Sequence, residues 1–136
     1  MPFIRLDCPK TDTDFGECFY PEFNVEIFLA SGVYQPFAFI LDSGADCTLV
    51  PRDVANWVGF HFPGTPDASV TGIFGRPMPA YKGQLKLRIR DEELNVRCLF
   101  TESNRTPFLL GRVDFFSKFD IKFSGQNCHI VLKKLT

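Results

Sequence analysis

The sequence predicts an all-β fold, a small closed barrel with one or two short helices. Three observations carry this reading. Period-two alternation recurs along the chain, most cleanly where Leu85, Leu87 and Ile89 oppose Lys86, Arg88 and Arg90. Turn residues separate the apolar runs at short intervals, as in Ala30-Ser31-Gly32 and Gly125-Gln126-Asn127. Only two short stretches read as helix. A chain of 136 residues, 45% hydrophobic and 23% charged, suits one globular domain whose core folds without staples.

Taken in order, a short strand is expected near Phe3–Leu6. A loop follows through the turn-rich Pro9-Lys10-Thr11-Asp12-Thr13-Asp14. Asn24–Leu29 reads as a strand, and Gln35–Leu41 returns as its hairpin partner. Thr48-Leu49-Val50 is a short apolar strand. Pro51 then opens a brief helix, Arg52–Val58, which Gly59 ends. Residues 60–80 hold seven Pro and Gly breakers, yet Val70, Ile73, Phe74 and Met78 are apolar among them. Either an exposed glycine-tipped hairpin or a plain loop fits that pattern. Lys82–Arg90 is a strand, Asp91-Glu92-Glu93 a turn, and Leu94–Phe100 the returning strand. Ser103–Thr106 is a loop. Pro107–Arg112 is a buried strand ending at a glycine, followed by a short amphipathic helix through Phe115, Phe116 and Phe119. Phe119, Ile121 and Phe123 then alternate with Asp120 and Lys122, and Cys128–Leu132 is the last strand.

Several function classes are disfavoured. The net charge of -1 provides no electrostatic footprint for nucleic acid or an anionic membrane. The basic residues Lys86, Arg88 and Arg90 are followed by acids and read as a solvated face. No apolar run has the length of a membrane span, and Met1–Asp7 lacks the pattern of a signal peptide. The five cysteines (Cys8, Cys18, Cys47, Cys98 and Cys128) are odd in number and scattered. They indicate neither a disulfide framework nor a zinc site, and fit small buried hydrophobes in a reducing cytoplasm. His61 and His129 are far apart, and His129 reads as a satisfied structural histidine. No Ser or Cys has a convincing histidine partner for nucleophilic catalysis. Sixteen phenylalanines exceed one small core and suggest a buried interface or an apolar groove.

The chain is organised around Phe39-Ile40-Leu41-Asp42-Ser43-Gly44-Ala45-Asp46. A strand ending at Leu41 delivers Asp42 at the start of a tight turn. Gly44 supplies conformational freedom there, and the Ser43 hydroxyl can bond backbone or a carboxylate. An acid pinned at a strand end among apolar residues has an adjustable protonation state. Asp-Ser-Gly alone is also ordinary turn chemistry.

Its context resembles the retroviral-type (retropepsin-like) aspartic proteases and their small single-domain cellular and bacterial relatives. The resemblance runs from the hairpin leading into Leu41-Asp42-Ser43-Gly44-Ala45-Asp46, through Thr48-Leu49-Val50-Pro51 and a Gly-containing stretch at Val70–Tyr81, to Phe108-Leu109-Leu110-Gly111-Arg112. Residues 24–133 form the core of the single domain 1–136, and 1–23 are an N-terminal extension. The pairing of Asp-Ser-Gly-Ala with a later Leu-Leu-Gly-Arg is the more specific element.

The resemblance implies an aspartic endopeptidase with a barrel of the acid protease type. Asp42 would be the catalytic acid, supported by Ser43, Gly44 and Ala45, with Asp46 paired to Arg112 near the cleft. Many relatives carry Thr where Ser43 stands, so the brace loses a packing methyl. The flap candidates are Gly72, Ile73, Phe74 and Gly75, followed by a stiffer Arg76-Pro77-Met78-Pro79. Two acids sharing one proton are needed, and the chain holds one such motif. The second acid would be Asp42 of another copy, making a homodimer, with Phe3–Leu6 and Cys128–Leu132 as candidates for an intersubunit sheet. The expected ligand is a peptide or protein substrate, with no metal and no cofactor. Two rival readings are a catalytically silent peptide-binding or scaffold module on the same fold, and a Mg²⁺ site at Asp42 and Asp46.

Overall fold

The computed structural model describes residues 3–72 and 75–135. Its body is a sheet that closes on itself. The strands are β4 (Glu22–Phe28), β5 (Tyr34–Leu41), β6 (Thr48–Val50), β7 (Ala68–Val70), β8 (Met78–Ile89), β9 (Glu92–Thr101) and β10 (Leu109–Leu110). They follow the spatial order β4-β5-β10-β6-β9-β8-β7, and pairing of Glu26 with Arg88 and Ile27 with Leu87 joins β4 to β8. Six strands thus form a closed barrel, with β7 appended to β8. Closure removes the open edges that a flat sheet would leave.

Alternation sets which side chains turn inward. Phe23, Val25 and Ile27 of β4 are buried, as are Leu85, Leu87 and Ile89 of β8 and Leu94, Val96, Cys98 and Phe100 of β9. The β8–β9 turn is tighter than the sequence suggests. Ile89 pairs with Glu92, leaving only Arg90 and Asp91 between the strands. Arg90 adopts φ 56°, and its guanidinium donates to the Arg5 carbonyl at 3.0 Å.

The termini form a second sheet, β1-β12-β11, from β1 (Phe3–Asp7), β11 (Phe119–Ser124) and β12 (His129–Lys134). Ile4, Leu6, Phe119, Ile130 and Leu132 face the core from it. The terminal strands therefore pair with each other inside one chain. Both sides of β12 are occupied by β1 and β11, which leaves the outer edges of β1 and β11 for any intersubunit pairing.

Residues 10–19 form a hairpin instead of the expected loop. Strands β2 (Lys10–Thr13) and β3 (Gly16–Phe19) pair only with each other among the described residues. The Thr13 hydroxyl donates to the Gly16 carbonyl at 2.8 Å and accepts from the Phe15 N–H at 3.1 Å, closing the turn. Phe15 stands fully exposed at its tip.

The helix α1 (Arg52–Val58) follows Pro51, ends at Gly59 and buries Val54 and Ala55. The second expected helix is absent. Residues 113–118 are turns, because Asp114 takes a left-handed φ of 68° that no helix interior accommodates. Phe115 is still fully buried and packs on Phe119. Most of the phenylalanine surplus packs within the chain, with Phe37 stacked between Trp57 and Phe108, and Phe60 on Phe100. Among the described residues no helix is long and apolar enough to cross a membrane.

Candidate active site

Strand β5 delivers Asp42 to the end of the barrel. Its parallel pairing with β10 sets Ile40 beside Leu109 and Leu41 beside Leu110. The ladder continues one residue further, where the Asp42 N–H donates to the Leu110 carbonyl at 3.0 Å. The chain then turns. The Ala45 N–H donates to the Asp42 carbonyl at 3.1 Å, and the Gly44 N–H donates to Asp42 Oδ1 at 2.9 Å. Gly44 does not sit at positive φ, contrary to the expectation from sequence. Its lack of a side chain matters because a Cβ would lie 3.2 Å from Asp42 Oδ1. Asp42 is half-buried, and Ser43 is exposed.

The Leu-Leu-Gly-Arg segment locks onto this turn from the other side. The Arg112 N–H donates to the Ala45 carbonyl at 3.0 Å, and the Val113 N–H to the Asp46 carbonyl at 2.8 Å. The Arg112 guanidinium donates to Asp46 Oδ1 at 2.5 Å and to the Ser43 carbonyl at 3.1 Å. It is thus the Ser43 carbonyl that touches Arg112. Gly111 donates to the buried Thr48 hydroxyl at 3.2 Å. A Cβ on Gly111 would lie 2.4 Å from the Cys47 carbonyl carbon, so only glycine lets the two segments approach this closely.

Asp42 borders a cavity of about 560 Å³. Gly44, Ala45, Asp46 and Cys47 form one wall, Leu49, Leu99 and Leu109 the apolar part, and Ser69, Val70, Thr71 and Gly72 the opposite side. The last four belong to the β7–β8 hairpin, in which Ala68 pairs with Ala80 and Val70 with Met78. Of the four flap candidates, Gly72 lines the cavity and Gly75 is exposed nearby in sequence, whereas Ile73 and Phe74 lie outside the described residues. Among the described residues no three His, Cys, Asp or Glu side chains gather as a metal site.

Sequence reasoning missed the lining leucines, because a strand's alternation says which face is apolar but not which residue ends beside Asp42. It also missed a second clamp. Asp114 accepts from the Arg97 N–H at 2.8 Å and from its guanidinium at 2.9 and 3.0 Å. These bonds hold the Asp114 carboxyl down at about 2. Arg88 is less solvated than expected. It forms a two-pronged pair with Glu26 and lies over the Tyr34 ring. His129 departs from expectation as well, since its buried Nδ1 has no partner among the described residues. Burial, then Asp46, pushes the Cys47 thiol up.

Comparisons with known proteins agree with this architecture. A comparison with curated proteins finds no match. Among solved structures, a retropepsin-like aspartic protease from Rickettsia conorii is 17% identical with a TM-score of 0.65, covering 96% of this chain and 89% of that one. The EIAV protease complexed with the inhibitor HBY-793 is 18% identical with a TM-score of 0.53, covering 68% of this chain and 82% of that one. At those identities the likeness establishes a retropepsin-like fold. A family model described as aspartyl protease matches residues 25–113, which spans both Asp42 and Arg112. The chain belongs to the aspartyl protease family.

Proposed function

We propose that the protein is an aspartic endopeptidase that cleaves peptide bonds as a homodimer, each copy contributing its Asp42. One observation carries this reading. Two acids border the cavity, and Asp46 is held by Arg112, which leaves Asp42 without a charged partner among the described residues. Two carboxylates brought into contact share one proton, since like charges that close cannot both ionise. A second copy supplies the missing acid, with the cleft on the two-fold axis.

In the dimer one Asp42 takes a proton from water as its oxygen attacks the scissile carbonyl carbon. The other Asp42 gives its proton to the carbonyl oxygen, and collapse of the resulting diol with protonation of the amine releases both products. Gly44 orients the carboxylate, Ser43 and Ala45 support the loop, and the Asp46–Arg112 pair holds it against β10. The β7–β8 hairpin is the flap, with Gly72 and Gly75 near its tip. An extended peptide would add along the strands beside Leu49, Leu99 and Leu109, favouring apolar side chains at the scissile bond.

The test is cleavage of a mixed peptide library from acid to neutral pH by wild type and Asp42→Asn at matched dimer content. Cleavage by wild type alone is expected, falling at the pH where both acids ionise. If neither protein cuts while both are dimers, the reading fails and a peptide-binding module takes its place.

A further inference from the structure

We propose that Cys8 and Cys128 are a covalent modification site, a dithiol that a small disulfide oxidant converts into an intrachain disulfide. The β1–β12 register ends with Asp7 opposite His129, and the next position sets Cys8 opposite Cys128. The Cys8 N–H donates to the Cys128 carbonyl at 2.9 Å, one bond beyond the paired strands, with Cys128 already in the turn at φ 52°. A regular hydrogen-bonded pair holds its Cα atoms about 5.5 Å apart. A single backbone bond of ordinary length keeps these two close to that, within the roughly 4.4–6.8 Å that a disulfide spans. The Cys128 thiol is near enough to add to the upward push on the Cys8 thiol.

The reduced sulfurs are only weakly engaged. Cys8 Sγ donates to the Leu6 carbonyl at 3.6 Å, and Cys128 Sγ to the Gly125 carbonyl at 3.7 Å. A thiol is a poor donor, so rotation about χ1 toward the facing sulfur forfeits little. Both cysteines are half-buried, within reach of a small oxidant but not of bulk chemistry. The exposed Cys18 has no such cysteine opposite it, as it pairs with Thr11. Burial, then Asp7, pushes the Cys8 thiol up, which slows exchange at neutral pH and calls for mildly alkaline conditions.

The position links this chemistry to the cavity end of the barrel. Immediately after Cys8, the Pro9 carbonyl accepts from the Tyr20 N–H at 3.0 Å, closing the root of the β2–β3 hairpin. The Pro21 carbonyl then accepts from the Leu41 N–H at 2.8 Å, one residue before Asp42. A disulfide here staples the two ends of the chain and the hairpin root beside the strand that carries Asp42. With oxidised glutathione, one protein thiolate attacks the glutathione disulfide and expels a glutathione thiolate. The second protein thiolate then attacks the mixed disulfide and expels the other. Two protein thiols are oxidised, and one glutathione disulfide becomes two thiols that take up the released protons.

The experiment uses the full chain carrying Cys18→Ser, treated with oxidised glutathione at pH 8, alkylated and mapped by mass spectrometry. The expected result is a loss of two hydrogens, a Cys8 peptide joined to a Cys128 peptide, and a single-chain band on a non-reducing gel. The melting temperature should rise by roughly 10 °C and return on reduction. Stable glutathione adducts on these cysteines, a link between two chains, or both thiols left free would overturn the proposal. The same rise in a further Cys128→Ala variant would also overturn it. The peptide map of the parent decides the question if that variant does not fold.

Discussion

Arg112 and Asp46, 66 residues apart in sequence, meet at 2.5 Å while the same guanidinium holds the Ser43 carbonyl. One side chain thereby fixes both the acid after the Asp42 turn and the turn's own backbone. Two strand ends that come from opposite halves of the chain are joined at the cavity.

That arrangement separates stability from activity. The pair is largely exposed, so Arg112→Lys should lower stability by only about 0–1 kcal/mol. Lysine cannot span the carboxylate and the carbonyl in one planar fork. Displacing the Asp42 loop by about 1 Å would lower kcat/KM on the order of a hundredfold. Urea unfolding beside peptide-cleavage kinetics checks both parts, and a large stability loss with unchanged kinetics would refute the positioning role.

Gly111→Ala should behave in the opposite way. The added methyl would sit 2.4 Å from the Cys47 backbone, where no flexible side chain can give way. Overpacking of this kind costs about 1–3 kcal/mol, or more where backbone must move. The midpoint of urea unfolding should fall accordingly, and a neutral result would mean that the β10 end and the Asp46-Cys47 segment separate easily.

Acid stability should report the Arg97–Asp114 clamp. The folded state holds Asp114 at about 2, below an unfolded carboxylate near 3.9. A depressed folded value contributes stability that is fully present above the unfolded value and is lost as pH falls through the folded one. Wild type should therefore exceed Asp114→Asn at pH 6, and the advantage should vanish between about pH 4 and pH 2. Asparagine tolerates the left-handed backbone at this position, so the comparison isolates the charge. Urea titrations at several pH values measure it, and a difference that does not change with pH would exclude the ion pair as its source.

Val70 tests the hairpin across the cavity. It is half-buried on β7 and lines the space facing Asp42. Val70→Ala removes apolar contact surface at little structural cost, and KM for a peptide with a bulky apolar residue should rise about tenfold. The melting temperature should hardly change. Unchanged KM would place the substrate away from this hairpin.

Much of the barrel was legible because its strands are long and half-buried, which makes alternation visible in Lys82–Arg90 and Leu94–Phe100. The β2–β3 hairpin was not, since both its faces are exposed and Thr13-Asp14-Phe15-Gly16 carries the composition of a loop. The helix expected at Phe115–Phe119 failed for a different reason. Its apolar spacing is genuine, but Asp114 gains three bonds to Arg97 by leaving helical geometry.

The order of chemistry-bearing residues is a property of the sequence alone. Asp42 at a strand end, Gly44 two residues later and Gly-Arg at positions 111 and 112 are all dictated by local patterns of burial and turn chemistry. Which of these residues touch is not local. The Arg112–Asp46 pair, the contact of Gly111 with Cys47, the leucines beside Asp42 and the opposition of Cys8 to Cys128 all depend on strand register. Register is decided only when non-adjacent strands pair and the barrel closes between β4 and β8.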